Sequence, residues 1–440
     1  MKKLLYIMKP TPRQNGERGR SPLQQERGKA LIICLLVMLF SISLVFAEEV
    51  FVVNSNSQTL SRIDLTSFQA TNTFAQLGLY ANDIALYHDK LYVVNSGDDA
   101  VQVIDSTTGS QLDNILLESS CNPYNITIHE DFAYVSCWLS GQVARVDLQN
   151  TRNIAYLPVG NGPQGMAVVG EKLYIAISGY PSYSVGLVKV VDLNAFEVLT
   201  TINVTLNPQS MIVDDLGFIH LICSGDYGYN FSQIKVIDSA TDEVIESILL
   251  PSVSFFTTIQ RSPGNLVFVG NFYGLGFLTY DIETFEIVNT VGNFLFPGSN
   301  KMIYDDSHLY VLVEDYFSPT TFAAYTHDFA FIQQVNVGMM AVEMVYKGAQ
   351  VNDKDIVKPT AQKLITYPNP FKNEIRFKAE KASTIEIFNA RGQKIRTLKG
   401  QDIVWNGTNE KNQVMPSGVY FVRATDKDNV VTTKKIMFIK

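Results

Sequence analysis

Four short apolar segments read Asn82-Asp-Ile-Ala-Leu-Tyr-His88, Lys90-Leu-Tyr-Val-Val-Asn-Ser-Gly97, Val101-Gln-Val-Ile-Asp105 and Ser110-Gln-Leu-Asp-Asn-Ile-Leu-Leu117. They are rich in Val, Ile, Leu and Tyr, and the residues between them favour turns. Runs of this length and composition, bounded by Gly, Ser, Asn and Asp, are typical of β-strands. This stretch of the chain therefore predicts a unit of four strands joined by tight turns.

The same unit recurs along the chain, and the Asp that ends its third strand marks each copy. The copies end at Ile63-Asp64, Ile104-Asp105, Val146-Asp147, Val191-Asp192, Ile237-Asp238 and Tyr280-Asp281, with a degenerate seventh at Tyr325-Thr326. Successive copies lie 41, 42, 45, 46, 43 and 45 residues apart. Four strands per unit at a period in the forties are typical of the blades of a β-propeller.

The two ends of the repeat region predict how the ring closes. The first unit begins at Glu49-Val-Phe-Val-Val-Asn54 and lacks a first strand, whereas one strand, Ala341-Val-Glu-Met-Val-Tyr346, is left over after the seventh unit. Pairing the two would remove a gap that leaves backbone groups unpaired. We therefore expect an all-β chain with a seven-bladed β-propeller over residues 48–346 and Ala341–Tyr346 as the inner strand of the first blade.

The second strands resemble a family of propellers named for a Tyr-Val-Thr-Asn repeat. The motif stands as Tyr92-Val-Val-Asn95, with related copies at Phe51-Val-Val-Asn54 and Phe268-Val-Gly-Asn271. Thr is replaced in all three copies. The resemblance implies the propeller fold and little about chemistry.

The first 47 residues read as an export signal. A basic flank precedes an apolar run from Ala30 to Ala47, which ends in Val45-Phe46-Ala47 just before Glu48-Glu49. Small residues at this position are typical of signal-peptide cleavage. The alternative is an uncleaved membrane anchor, since the run is near the length that spans a bilayer. With cleavage at Ala47, we expect no transmembrane segment in the mature chain.

Charge is distributed unevenly. Residues 48–362 hold 12 basic and 34 acidic residues, a net charge of −22, whereas residues 363–440 have a net charge of +8. An acidic body repels phosphate backbones, so we expect no nucleic-acid partner. The polar segment 347–362 separates the two regions and is predicted to be a linker.

Three cysteines remain after cleavage: Cys121, Cys137 and Cys223. Cys121 and Cys137 flank a predicted hairpin, nearly symmetrically about its turn, and an oxidising compartment permits a disulfide between them. The alternative is a pair of small buried side chains.

The last 78 residues predict a second, smaller β-domain. Alternating apolar residues mark strands at 374–377, 384–388, 394–398, 419–423 and 430–439. About seven short strands in a segment of this size indicate a small β-sandwich over residues 363–440.

This segment resembles the type IX secretion C-terminal sorting domain, with five motifs in the family's order. They are Tyr367-Pro368-Asn369-Pro370-Phe371, Ile387-Phe-Asn-Ala-Arg-Gly392, Trp405-Asn-Gly407, Ser417-Gly418-Val-Tyr420-Phe421 and the basic end from Lys434-Lys435 to Lys440. The resemblance implies Sec export, passage across the outer membrane by the type IX secretion machinery, and a secreted or outer-membrane surface location. It also implies that this domain is usually removed as the cargo is attached to surface lipopolysaccharide.

The search for catalytic motifs finds little. One Gly-x-Gly-x-x-Gly, from Gly160 to Gly165, precedes an apolar strand rather than a helix, so it predicts a turn between blades and not a dinucleotide site. His88, His129 and His308 occupy equivalent turns in different blades, which separates them around the ring. We predict no catalytic residue, metal site or cofactor from sequence.

One face of the propeller is predicted to carry aromatic loops. The turns between second and third strands, and those between blades, emerge there, and exposed rings among Gly, Ser and Asn suit glycans or extended peptides. The candidate ligand-binding residues are Trp138, Tyr180, Tyr183, Tyr227, Tyr229, Phe272, Tyr273, Tyr316 and Phe317. The same loops hold Phe231, and the turns between blades add Tyr80, Tyr124, Phe255, Phe256, Phe294 and Phe296. The alternative is that many of these rings pack between blades.

Three functions remain open. The first is a surface binding module for a glycan or a protein ligand, which the aromatic face and the missing catalytic motifs favour. The second is a propeller enzyme, lactonase-like or redox, whose charged groups would have to converge at the central channel. The third is a structural surface scaffold.

Overall fold

The computed structural model describes residues 48–183, 186–215, 217–226, 230–251, 255–289, 292–314, 318–348, 364–369, 371–379, 382–389, 393–400, 402–426 and 431–439. The predicted signal peptide and most of the predicted linker lie outside these ranges. The described residues are built from 34 strands and one 3₁₀ turn, Ser96–Asp98, with no α-helix among them.

The propeller contains the first 27 strands. In chain order they are β1 (Glu49–Asn54), β2 (Thr59–Asp64), β3 (Gln69–Gln76), β4 (Ala81–Tyr87), β5 (Lys90–Asn95), β6 (Ala100–Asp105), β7 (Gln111–Leu116), β8 (Pro123–His129), β9 (Phe132–Cys137), β10 (Gln142–Asp147), β11 (Ile154–Pro158), β12 (Pro163–Val169), β13 (Lys172–Ile177), β14 (Gly186–Asp192), β15 (Glu197–Val204), β16 (Pro208–Val213), β17 (Phe218–Cys223), β18 (Gln233–Asp238), β19 (Glu243–Leu249), β20 (Phe256–Arg261), β21 (Leu266–Asn271), β22 (Phe277–Asp281), β23 (Ser299–Tyr304), β24 (His308–Val313), β25 (Pro319–Thr326), β26 (Phe331–Met339) and β27 (Ala341–Lys347).

These strands form seven antiparallel sheets, which we number as blades 1 to 7. Blade 1 has the order β27-β1-β2-β3, and the others follow in chain order, each with its first strand innermost. Blade 6 has three described strands, β20 to β22, and the other blades have four. Each inner strand contacts the inner strands of both neighbouring blades, and β27 pairs with β1 in antiparallel register, which closes the ring. The predicted seven-bladed propeller, closed by the leftover strand, is confirmed.

The core lies between the blades. Second strands such as β5 and β17 are buried almost throughout because a neighbouring blade covers each face, and they are accordingly mostly apolar. The fourth strands, such as β3, are mostly exposed. The recurrent Asp accepts backbone N–H groups in the turn that follows it, as Asp105 does from Thr107 (2.9 Å) and Thr108 (2.7 Å), which explains why the residue recurs.

Two predicted local features of the propeller are present in the structure. Cys121 and Cys137 form a disulfide, and Cys223 is free and buried. The glycine motif from Gly160 to Gly165 begins in the turn between β11 and β12, which joins blades 3 and 4, and ends within β12. Among the described residues no helix is long and apolar enough to cross a membrane.

The described part of the C-terminal domain has seven strands, in two sheets. They are β28 (Leu364–Tyr367), β29 (Ile375–Ala379), β30 (Ala382–Asn389), β31 (Lys394–Leu398), β32 (Asp402–Trp405), β33 (Gly418–Asp426) and β34 (Val431–Phe438). The sheet orders are β28-β29-β32 and β31-β30-β33-β34, and a single core lies between them. The predicted β-sandwich is confirmed.

Trp405 lies at the centre of that core. It is 1% exposed, its ring contacts Phe371 and Tyr420, and its Nε1 donates to Thr408 O at 2.6 Å. Gly407 has φ +70°, and a Cβ there would lie 2.7 Å from the Phe438 ring. Gly is therefore required both by the turn and by the packing next to Trp405.

Candidate functional site

The central channel of the propeller holds a cavity of about 550 Å³. All seven inner strands contribute two successive residues to its wall. The second residue of each pair stands directly before a buried Ile or Met: Asp83, Asn125, Gly165, Ser210, Thr258, Lys301 and Glu343. We call these seven positions the channel ring.

A repeated backbone irregularity explains why two successive residues line the channel. In an ordinary strand, successive side chains point to opposite faces. Every inner strand has a register shift at this level, for example between Ala81 and Asp83 in β4 and between Ser299 and Lys301 in β23. Such bulges re-aim side chains.

Asp83 joins neighbouring blades at the channel ring. Its Oδ2 accepts from Asn125 Nδ2 at 2.6 Å and from the backbone N–H of Ile126 at 2.8 Å. Asn125 in turn accepts from the backbone N–H of Met166 at 3.1 Å. The side chain of Asp83 links β4 to β8, and that of Asn125 links β8 to β12.

Burial and the negative charge of Glu343 raise the pKa of Asp83 to about 7, against the hydrogen bonds that Asp83 accepts. Asp83 is 8% exposed. Its carboxyl therefore exchanges a proton near neutral pH and can serve as a donor or as an acceptor.

Lys301 and Glu343 form an ion pair across β23 and β27. Burial lowers the pKa of the Lys301 ammonium, but Glu343 and Asp83 outweigh burial and leave this pKa raised. Glu314, also in the cavity wall, has its pKa raised by burial, against the attraction of Lys301. Three carboxyl groups and one ammonium therefore converge in the channel, and two of those carboxyls hold their protons more tightly than usual.

Aromatic rings surround the same cavity in two groups. In blades 3 and 4, Tyr180 lies between Trp138 (ring centroids 4.1 Å apart) and Tyr183 (5.9 Å). In blade 6, Tyr273 lies 5.4 Å from Phe255 and 5.6 Å from Phe272. Phe272 and Tyr273 are 56% and 60% exposed, so their faces are open to a ligand.

Two polar atoms in the cavity wall lack partners. Trp138 Nε1 and Asn300 Oδ1 are both buried and have no hydrogen-bond partner among the described residues. One is a donor and the other an acceptor. Buried polar atoms without partners are costly, so these two favour a polar ligand or water in the cavity.

The predicted aromatic residues divide into three groups. Trp138, Tyr183, Phe272 and Tyr273 line the cavity, as do two of the residues predicted in turns between blades, Tyr124, which lies in β8, and Phe255, which precedes β20. Tyr180 contacts two of the lining rings, Trp138 in a tilted arrangement and Tyr183 edge-on. The remaining four lie outside the described residues: Tyr227, Tyr229, Tyr316 and Phe317.

Sequence analysis missed the charged residues of the channel. Asp83, Lys301 and Glu343 look unremarkable singly, because each is one polar residue in a short strand. The signal is the equivalence of their positions, directly before Ile84, Met302 and Met344. No group of three or more His, Cys, Asp or Glu within the described ranges is arranged to hold a metal ion.

The motif residues of the C-terminal domain have structural roles where they are described. Asn369 Oδ1 accepts from the Met437 N–H (2.8 Å), and Tyr420 OH donates to Pro416 O (2.7 Å). Gly418 begins β33, whereas Lys434 and Lys435 lie in β34. Pro368 follows β28 and is exposed, and Pro370 and Gly392 lie outside the described residues.

Comparisons with known proteins support both domains. Residues 366–440 match the family described as the secretion system C-terminal sorting domain. No curated protein is significantly similar to the chain. The resemblance to Tyr-Val-Thr-Asn repeats stays a prediction.

Two solved structures are similar to the propeller. A putative 6-phosphogluconolactonase from Bacteroides uniformis has a TM-score of 0.54 at 13% identity, covering 68% of this chain and 99% of that chain. Virginiamycin B lyase from Staphylococcus aureus has a TM-score of 0.50 at 10% identity, covering 60% and 87%. At these identities the likeness shows the fold alone. The chain is a β-propeller protein with a type IX secretion sorting domain, which directs it to a secreted or cell-surface location.

Proposed function

We propose that the chain is an exported binding protein whose propeller channel takes a glycan or an extended peptide. The observation that carries the proposal is the meeting of aromatic rings and hydrogen-bonding side chains in one cavity of about 550 Å³. This volume lies within the range of ligand sites, and rings beside a few convergent polar groups are their usual lining.

The polar groups of the channel favour particular ligands. Near neutral pH, Asp83 is available as donor and as acceptor, because its pKa is about 7. Amide side chains from Asn82, Gln164 and Gln209 add further donors and acceptors. Hydroxyl-rich sugars and peptide amides complement such a wall, and the rings provide stacking faces.

Charge further narrows the ligand class. Residues 48–362 have a net charge of −22, and the cavity contains three carboxyl groups against Lys301. The resulting negative electrostatic field slows the approach of anions and favours neutral or cationic ligands. We expect sulfated and carboxylated glycans to bind more weakly than neutral ones.

Binding of the mature chain to glycan and peptide arrays tests the proposal. Hits should lose affinity in Trp138→Ala and keep it in Phe331→Ala, a matched control, because Phe331 is 56% exposed on the outermost strand of blade 7. An absence of array hits, or hits that Trp138→Ala leaves unchanged, would contradict the channel as the binding site.

An acid–base enzyme is the second candidate, and the convergence of Asp83 and Glu343 favours it. Asp83 exchanges a proton near pH 7, while Glu343 is ion-paired with Lys301. A buried carboxyl that exchanges a proton near neutral pH can act as a general acid or base. The two similar structures are named as a lactonase and a lyase, so propellers of this shape include proteins named as enzymes.

Turnover of lactone and glycoside substrate panels distinguishes the two candidates. The enzyme candidate requires a pH–rate profile with an apparent pKa near 7, which disappears in Asp83→Asn. Array binding without turnover of any panel member supports the binding protein instead.

A further inference from the structure

The propeller carries, on blade 5, a buried aromatic ring beside a buried carboxylate that the C-terminal domain covers. Phe218 begins β17, Asp238 ends β18, and the two are directly paired in the antiparallel register. Both are 0% exposed. We propose that this pair is a specific docking surface for the chain's own sorting domain, which holds that domain on the propeller without need of the covalent linker.

Three side chains of the sorting domain converge on Asp238. Tyr367 OH donates to Asp238 Oδ2 at 2.9 Å, and Arg376 Nη1 lies 3.8 Å from the same oxygen. Lys378 Nζ lies 3.4 Å from Asp238 Oδ1. The propeller itself supplies the N–H of Ala240 to this carboxylate, at 2.9 Å.

The same side chains also pack on Phe218. The Tyr367 ring meets the Phe218 ring edge-on, with centroids 5.0 Å apart, and Lys378 Nζ lies 4.4 Å from the Phe218 centroid. Tyr367 is 4% exposed and belongs to a small buried cluster with Phe218 and Val236. The docking surface therefore combines apolar burial, a T-shaped ring pair and a cation over a ring.

A second contact lies on the neighbouring blade. Lys434 Nζ in β34 is 2.7 Å from Glu283 Oε2, which follows β22 in blade 6. Lys434 and Tyr367 belong to different sheets of the sandwich. Contacts from both sheets restrain the orientation of the domain, and the opposite net charges of the two domains, −22 and +8, favour their association.

Blade 5 differs from the other blades in the residue that pairs with its recurrent Asp. The residue paired with the recurrent Asp is Glu49, Lys90, Phe132, Lys172 and Leu266 in blades 1, 2, 3, 4 and 6. Only blade 3 shares the aromatic ring. In blade 3, the guanidinium of Arg145 lies 5.2 Å from the centroid of the Phe132 ring. In blade 5, the equivalent position, two residues before the recurrent Asp, is occupied by Val236. Lys378 of the sorting domain supplies the cation that blade 5 lacks.

Docking at this surface leaves the cavity open. Phe218 and Asp238 lie at one face of the propeller. At this face the first strand of each blade connects to the second, and the third connects to the fourth. The aromatic residues of the cavity lie at the opposite face, where second strands turn into third and blades connect. A ligand therefore reaches the channel while the sorting domain is bound.

A cleavage experiment on residues 48–440, with the sorting domain retained, tests the docking surface. A protease site is placed within residues 349–363, the folded chain is cut, and the products are separated by size-exclusion chromatography at physiological and high salt. We expect the two fragments of the otherwise unchanged chain to elute together at physiological salt and to weaken their association as salt rises.

Variants then assign the interaction to Asp238. Asp238→Asn and, on the other partner, Lys378→Ala should each weaken association by about tenfold or more. Asp192→Asn is the matched control, because Asp192 accepts the same kind of turn N–H groups in blade 4 without a sorting-domain contact in the described residues. Circular dichroism checks that each variant is folded. Because Lys378→Ala leaves the propeller sequence intact, weaker association in that variant cannot come from a misfolded propeller. Fragments of the unchanged chain that separate at physiological salt, or equal behaviour of Asp238→Asn and Asp192→Asn, would overturn the proposal.

Discussion

Replacement of Asp83 by Asn should change how the stability of the propeller depends on pH. The pKa of Asp83 rises from 3.8 to about 7 on folding, because of burial and the charge of Glu343. Each unit corresponds to about 1.4 kcal/mol, so the folded state favours the protonated carboxyl by about 4 kcal/mol. Between pH 3.8 and about 7 the folded chain binds the extra proton, and its free energy of unfolding falls as pH rises.

Urea unfolding at pH 5 and pH 8 measures this effect. Relative to Asp83→Asn, the free energy of unfolding of the unchanged chain should fall by about 3 kcal/mol from pH 5 to pH 8. This loss arises between pH 5 and the pKa of Asp83 at about 7. Glu343→Gln removes a charge that raises the pKa of Asp83 and should reduce the loss. Asp105→Asn is a control without an effect in this window, because N–H and hydroxyl donation from Thr108 lowers the pKa of Asp105, so this group stays ionised between pH 5 and pH 8 in both the folded and the unfolded chain. Equal pH dependence in the unchanged chain and in Asp83→Asn would refute the reasoning.

Three further predictions concern the aromatic rings and the disulfide. Trp138→Ala should weaken ligand binding by about tenfold, measured by calorimetry with an array hit, because it removes a stacking face; unchanged affinity would exclude this ring from the site. Trp405→Ala should destabilise the sorting domain by about 3–5 kcal/mol, since it empties the centre of the sandwich core, and should abolish surface delivery. Proteolysis measures the stability and cell fractionation the delivery; normal delivery would argue against a need for the folded core in export. Replacing Cys121 and Cys137 with Ser should cost about 3 kcal/mol in urea unfolding, as expected for a bond between residues 16 apart, and an unchanged midpoint would contradict a stabilising disulfide.

The architecture was predictable because its signals are local and repeated. The Asp that ends each third strand fixes the period, and the unpaired strand at Ala341 fixes the closure. The strands of each unit follow from residues close in sequence, whereas the period and the closure follow from comparing one unit with another.

The channel was less predictable because its residues are distant in sequence. Asp83 and Glu343 belong to blades 2 and 1, at opposite ends of the repeat, and meet through ring closure. Aligning the inner strands on Ile84 and Met344 identifies both positions, but the bulges that aim them at the channel have no sequence marker. The aromatic loops were found from their place in the repeat, and the rings that line the cavity were among those named.

The docking surface shows a similar limit. Tyr367 was recognised as part of a sorting-domain motif, and Asp238 as one of the recurrent turn residues, each for a reason internal to its own domain. That they meet depends on the ring of Phe218, which the sorting domain covers because Val236 stands where blade 3 has Arg145. Such complementarity between domains is visible only when both folds are known.

A crystal structure of the mature chain with a bound array hit tests the central claim most directly. We expect ligand density in the channel, stacked on Trp138 or Tyr273 and within hydrogen-bond distance of Asp83 or Asn300. Density confined to the outer strands or the sorting domain, with the channel holding solvent alone, would contradict the account.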